Sequence, residues 1–345
     1  MRIAVDTMGG DLGPGVVVRG ALRALASLPK ETHLVFVGDE AQVAPHVPAA
    51  AVSRCSVQHA PDVVTMDDAP AAAVRRKPNA SMVVAARLVQ ERAADAMVSP
   101  GNTGGVLAAA SFTLGRIPHV LRPAIATLFP TAANDCILLD VGANVDCRPA
   151  HLLQFAVMGA VFARLRLGLE QPRVGLLNIG EEASKGNEAA AAAYPLLRAS
   201  GLHFVGNVEG RDVLKGNADV VVCDGFVGNI VLKFAESMLG FTRGLLRDEI
   251  TKSRRLQLGA LLMRPAFAAL KQRLDYQEFG GAPLLGVNGV VVIAHGKSSE
   301  RAIENAVRGC GALVQQELIG RIAAELGSIG GLLDKNEQRT DLGNR

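Results

Sequence analysis

Between Leu138 and Pro149 the sequence reads LLDVGANVDCRP. An apolar run stops at Asp140, passes Gly142, Ala143 and Asn144, and reaches Cys147 and Arg148 just before Pro149, a residue suited to a helix's first turn. A guanidinium at a helix N-terminus can grip a phosphate through two parallel hydrogen bonds; the alternative for Arg148 is a surface ion pair with Asp146. Cys147 beside that charge would gain thiolate character. A cysteine in such a setting is more often a small buried hydrophobe, which is the reading taken here.

Other turns carry the same residue types. Lys185 stands in NIGEEASKGNE, a turn too long and polar for simple helix capping. In CDGFVGNIVLK, Asn229 and Lys233 lie four apart and so share one helical face. AHGKSS resembles the end of a P-loop, so Gly296, Lys297 and Ser298 could hold a phosphate, although Val291 stands where the first glycine belongs. DAPAAAVRRKPNAS groups Arg75, Arg76 and Lys77, either a solvated face or a contact for an acidic partner.

The elements around these residues follow one rhythm. Six times a β-branched apolar run is followed by a Gly-rich polar turn and an Ala/Leu-rich helical segment, beginning at Arg2, Asp95, Ile137, Arg173, Asp219 and Gly289. Repeated βα units imply a mostly parallel sheet covered by helices on both faces. Such turns are expected to gather at the carboxyl edge of the strands, where free helix N-terminal N–H groups favour an anion. A single turn of this kind is only a cap; six together point to a phosphate-handling cleft.

Composition narrows the classes. The 345 residues, 49% hydrophobic with 37 Gly, suit one large α/β unit or two packed lobes. Two Tyr and no Trp leave no base-stacking platform, and a net charge of +3 implies no nucleic-acid partner. The five Cys include no metal-ligand spacing, so reduced thiols and no metal are expected. There is no G-x-G-x-x-G, no G-x-S-x-G and no H-E-x-x-H, which disfavours a nicotinamide site, a covalent serine and a zinc mechanism, and no cofactor is expected. The N-terminus reads as a first strand, and Pro100, Asn102 and four glycines break the longest uncharged stretch, so neither a signal peptide nor a membrane span is expected.

The segments VDTMGGD, VSPGNTGG, LLDVGAN, NIGEEASKGNE, CDGFVGN and EFGGAPLLGVNG, together with AHGKS, closely resemble the phosphate acyltransferases of bacterial phospholipid synthesis, the PlsX family, from Met1 to about Gly327. The resemblance implies a Rossmann-like three-layer αβα fold, akin to phosphotransacetylases and the isocitrate dehydrogenase group, and a homodimer. It implies transfer of a fatty acyl group from acyl carrier protein to inorganic phosphate, giving acyl phosphate. The rival reading is a non-catalytic protein that binds fatty acyl chains or the carrier; a dehydrogenase is suggested by fold kinship alone.

On that basis phosphate contacts are assigned to Asn102, Thr103, Asn144, Arg148 and Asn229, with Lys233 on the same helical face as Asn229. Lys185 or Lys297 would stabilise the tetrahedral oxyanion. A single α/β domain is expected over residues 1–327, with a helical excursion from about 233 to 276 and a polar tail at 328–345. The excursion contains ITKSRRLQLGALLMRPAFAALKQRL, six basic residues and no acidic one, read as two short helices with Pro265 in the first turn of the second. Leu258, Leu261 and Leu262 form one apolar strip and Phe267, Leu270 and Leu274 another, beside Arg254, Arg255, Arg264 and Lys271. This tip is expected to touch the carrier or an anionic membrane, placing the protein in the cytoplasm against the inner face of the membrane, where a membrane-bound acyl-phosphate:glycerol-3-phosphate acyltransferase would take the product.

Overall fold

The structure, a computed structural model, describes residues 1–274 and 280–329; the expected tail beyond Ile329 and the end of the excursion at 275–276 lie outside the described residues. Its strands are β1 (Arg2–Asp6), β2 (His33–Gly38), β3 (Cys55–His59), β4 (Ala96–Ser99), β5 (Ala124–Phe129), β6 (Cys136–Leu139), β7 (Val174–Leu177), β8 (Phe204–Val208), β9 (Val220–Val222), β10 (Ala282–Leu285) and β11 (Val290–Ile293). They form one hydrogen-bonded sheet in the order β3-β2-β1-β4-β11-β10-β5-β6-β9-β7-β8.

Alternate residues of a strand project to opposite faces, and here both faces are buried. Ile137, Leu139, Val220, Val222, Val290 and Val292 join one apolar core, whereas Leu138, Val221 and Val291 join the other. The helices Pro14–Ala24, Pro149–Leu167 and Glu300–Gln315 supply buried residues to the first core, and Ser81–Gln90 and Thr103–Thr113 to the second. This is the expected mostly parallel three-layer architecture, and each of the six expected turns leads from a strand into a helix. Pro149–Leu167 is long and apolar enough to cross a membrane, but 72% of its apolar window is packed inside the protein, as befits a core helix.

Strand direction departs from expectation. β1, β2, β3, β4 and β11 run parallel, and so do β6, β7, β8 and β9, but the antiparallel pairings β11–β10, β10–β5 and β5–β6 lie between the two groups. Two reversals cancel and the third inverts, so the groups point in opposite directions. The turns after β1, β4 and β11 therefore leave one edge of the sheet, and those after β6, β7 and β9 the other. At about 3.3 Å per residue a four-residue strand separates its ends by roughly 13 Å, so the six turns do not gather at one edge.

One helix runs from Gly225 to Thr251, capped by Asp224, and is followed by Arg254–Leu262, capped by Ser253, and Arg264–Leu274, with Pro265 in its first turn as expected.

Candidate active site

At the edge formed by β6, β9 and β7, the turn after β6 is organised by Asp140. Its carboxylate is fully buried and accepts backbone N–H bonds from Ile125, Gly142, Ala143 and Asn144, plus the Asn144 side-chain amide. Burial pushes this carboxyl above the usual range, against the pull of those bonds. The remaining Asn144 amide hydrogen goes to the Pro123 carbonyl at 2.7 Å. Both Asn144 amide donors are thus engaged, one within the turn and one by the Pro123 carbonyl, and the N–H groups of Gly142, Ala143 and Asn144 face Asp140. Expected as a phosphate contact, Asn144 here closes the loop.

The turn after β9 locks onto the same loop. Gly225 N–H donates to the Asn144 carbonyl at 2.7 Å, and a side chain at Gly225 or Gly228 would collide with Asn144 or the Asp140 carbonyl. Those two glycines let the N-terminus of helix Gly225–Thr251 sit directly on the loop, which brings Asn229 over Gly142. Arg148 is exposed at the start of Pro149–Leu167, and its backbone N–H donates to His151 Nδ1 at 3.1 Å. Among the described residues Arg148 makes no ion pair with Asp146 or any other acid. Two helix N-termini, Arg148 and Asn229 converge here. Lys233 is exposed one turn beyond Asn229.

Lys185 belongs to this edge. Its exposed loop is held by Asn178, which donates to the Lys185 carbonyl at 2.9 Å, and by Asn207, which donates to the Glu182 carbonyl at 2.7 Å. Gly186, at φ 98°, packs against the Asn178 amide. Cys147 lies between the turns; burial, then the Asp140 and Asp224 carboxylates, push its thiol up to about 12. That thiol is not a thiolate at neutral pH, in keeping with its reading as a small hydrophobe.

The opposite edge has a parallel construction. The fully buried Asp6 accepts from Met8 N–H at 3.1 Å and from Ser99 Oγ at 2.5 Å, and Gly9 and Gly101 meet without room for a side chain. The Asn102 side chain caps Thr103–Thr113 through Gly105 N–H and donates to the Thr65 and Met66 carbonyls, so its amide is spent on structure. Thr103 and Lys297 are exposed on this edge, apart from Arg148, Asn229 and Lys185. Of the basic triplet, Arg75 lies over the Phe112 ring at 4.8 Å, Arg76 is exposed, and Lys77 is bound to Asp68 at 2.7 Å and the Val63 carbonyl at 2.9 Å. Lys77 therefore braces its own loop rather than presenting a charge.

The sequence reading missed Asp140, whose burial no motif announces.

Residues 1–321 match the family described as Fatty acid synthesis protein. The phosphate acyltransferase of Heliobacterium modesticaldum is 51% identical over 325 residues, covering 93% of this chain and 96% of that protein. The chain belongs to the phosphate acyltransferase family. The Moorella thermoacetica phosphate acyltransferase is 50% identical over 320 residues, covering 92% of this chain and 94% of its own length. A phosphotransacetylase structure from Streptococcus pyogenes shares the fold at a TM-score of 0.61 with 18% identity, covering 92% of this chain and 94% of that one. A branched-chain phosphotransacylase from Enterococcus faecalis does so at 0.55 with 15% identity, covering 92% and 100%. As a phosphate acyltransferase of a fatty acid synthesis family, the chain is an acyltransferase that transfers an acyl group to phosphate.

Proposed function

We propose that the acyl donor is a fatty acyl thioester of acyl carrier protein, that the product is acyl phosphate for phosphatidic acid synthesis, and that phosphate attacks the thioester directly. The supporting observation is the convergence of Arg148, Asn229 and two helix N-termini at the edge that also carries Lys185. Arg148 grips the phosphate through its guanidinium, and Asn229 orients it. An oxygen of hydrogen phosphate adds to the thioester carbon, Lys185 stabilises the oxyanion of the tetrahedral intermediate, and the carbon–sulfur bond breaks. The phosphate's proton ends on the departing thiol, so atoms and charge balance. With a thiol pKa of about 8.5, the leaving group needs little acid assistance. Thr103 and Lys297, on the other edge, take no part in this scheme within one chain.

Two further readings belong here. Helix Gly225–Thr251 exposes Val227, Ile230, Phe234, Met238, Phe241 and Leu245 at spacings of three and four, a face suited to a second copy of the chain in a homodimer. The tip beyond it, with exposed Leu258, Leu261, Leu262 and Leu270 and a half-buried Phe267, suits reversible contact with the carrier or with an anionic membrane on the cytoplasmic side, near a membrane-bound acyltransferase that consumes the product.

The test is thiol release from acylated carrier protein with and without inorganic phosphate, with hydroxylamine as a trap. Phosphate-dependent release and hydroxamate formation are expected; equal release in phosphate-free buffer overturns the reading.

A further inference from the structure

Gln154 is fully buried in a helix whose other inward residues are almost all apolar, and both ends of its amide reach one loop. Nε2 donates to the His119 carbonyl at 2.7 Å and Oε1 accepts from Leu121 N–H at 2.8 Å. The Leu121 carbonyl in turn accepts from the Arg116 guanidinium. One residue past Arg122, the Pro123 carbonyl accepts the Asn144 amide at 2.7 Å. The chain is therefore fastened on both sides of Arg122: at residue 121 to the helix that Arg148 begins, and at residue 123 to the loop that Asp140 organises.

Arg122 itself is exposed, and among the described residues neither it nor Arg148 forms an ion pair. His151 senses both: burial first, then Arg122, then Arg148 hold its ring below the usual histidine value. The backbone beside Arg122 is held against the loop that leads into Arg148, neither arginine is neutralised by an ion pair among the described residues, and a dianion between the two side chains would draw both.

We infer that Arg122 is a second residue gripping inorganic phosphate, opposite Arg148, and that Gln154 is the positioning residue that holds it there. The inference rests on the phosphate-transfer reading above. It accounts for a buried amide in an apolar helix, since a buried polar group is tolerated only with its bonds made, and these bonds serve the loop rather than the core.

The experiment measures KM for inorganic phosphate and, separately, for the acyl carrier thioester in Arg122→Ala, Arg122→Lys, Gln154→Met and the Arg122→Ala/Gln154→Met double variant. Losing one charge-assisted grip should raise KM for phosphate about tenfold in Arg122→Ala, with KM for the thioester and the melting temperature unchanged. Arg122→Lys should recover part of the loss. Gln154→Met should raise KM for phosphate less, and the double variant should be no worse than Arg122→Ala, because Gln154 acts through Arg122. Added phosphate should raise the NMR titration midpoint of His151 in the wild type and move it less in Arg122→Ala. An unchanged KM for phosphate in Arg122→Ala overturns the inference, as does a rise confined to the thioester KM, which makes Arg122 a carrier contact. Additive losses in the double variant overturn the positioning role of Gln154. Thiol release by the wild type without phosphate instead overturns the reading beneath it.

Discussion

Asn144 donates to the Asp140 carboxylate twice, from its backbone N–H at 2.7 Å and from its side-chain amide at 2.9 Å. One residue thereby closes the turn and shapes the surface on which helix Gly225–Thr251 rests. Gly228 is the position where this closeness is least forgiving, since a Cβ there would overlap the Asp140 carbonyl oxygen. Gly228→Ala is expected to cost about 3 kcal/mol, lowering the melting temperature by roughly 6–12 °C. Gly320→Ala is the control: it is an exposed helical glycine with open space around it, where alanine should be neutral or stabilising by up to about 1 kcal/mol. Equal melting temperatures for the two variants would show that the helix does not sit on the loop.

The residues of that loop should separate by assay. Asn144→Ala removes both amide bonds and should lower melting temperature and turnover together, by about 1–3 kcal/mol in stability. Arg148→Ala should leave the melting temperature unchanged while raising KM for phosphate about tenfold. Cys147→Ser should keep most activity, because a thiol with its pKa near 12 is no nucleophile at neutral pH. A folded but inactive serine variant would require a thioester intermediate.

The six strand–turn–helix units were legible because β-branched runs give way to Gly and Asn wherever a strand feeds a helix. The reversal of direction was not, since it is carried by β10 and β5, whose sequences APLL and AIATLF contain nothing that distinguishes parallel from antiparallel pairing. Site residues behaved similarly. Arg148 and Lys185 were legible as cations in polar turns, but the sequence does not say that the Asn102 and Asn144 amides spend their donors on neighbouring carbonyls and Asp140. Gln154 reads as one polar residue in an apolar helix until His119 and Leu121 appear beside it.

The two lysines kept open as oxyanion stabilisers lie on different edges, which makes their comparison decisive. Lys185→Ala should lower turnover by about a hundredfold, the scale of one lost oxyanion donor, with little change in KM for phosphate. Lys297→Ala should stay within about threefold of the wild type if each chain works alone. The reverse ranking would move the reaction to the edge of β1, β4 and β11.

Lys77 gives a prediction at acid pH. Its hydrogen bond is the first cause of an Asp68 carboxyl lowered to about 2. A depressed folded-state value stabilises the protein above the unfolded carboxyl's range and is lost as pH falls from about 4 toward 2. Lys77→Met should flatten that part of the stability–pH curve without changing phosphate kinetics. An unchanged slope between pH 4 and 2 would mean that the pair contributes nothing there.

The excursion allows the two apolar surfaces to be told apart. Not all six basic residues at its tip are available: Arg273 donates to the Thr131 and Ala132 carbonyls, and Lys252 pairs with Glu249 at 2.5 Å. Arg254, Arg255 and Arg264 remain exposed around Leu258, Leu261 and Leu262, which are 60%, 62% and 76% exposed; the Lys271 side chain lies outside the described residues. Each cation gains about 1 kcal/mol near an anionic bilayer, so three of them with one leucine strip suit binding that is reversible and weakened by salt. Phe234 and Phe241, on the stripe of helix Gly225–Thr251, have no such charges on the stripe itself and suit a second copy of the chain. Leu261→Glu is therefore expected to abolish co-sedimentation with anionic vesicles while leaving molecular mass and catalysis on soluble carrier thioester unchanged. Phe241→Glu should shift the mass toward a monomer. If Leu261→Glu also yields monomers, the tip strip belongs to the subunit interface. If its vesicle binding is unchanged, the membrane contact lies elsewhere on the protein.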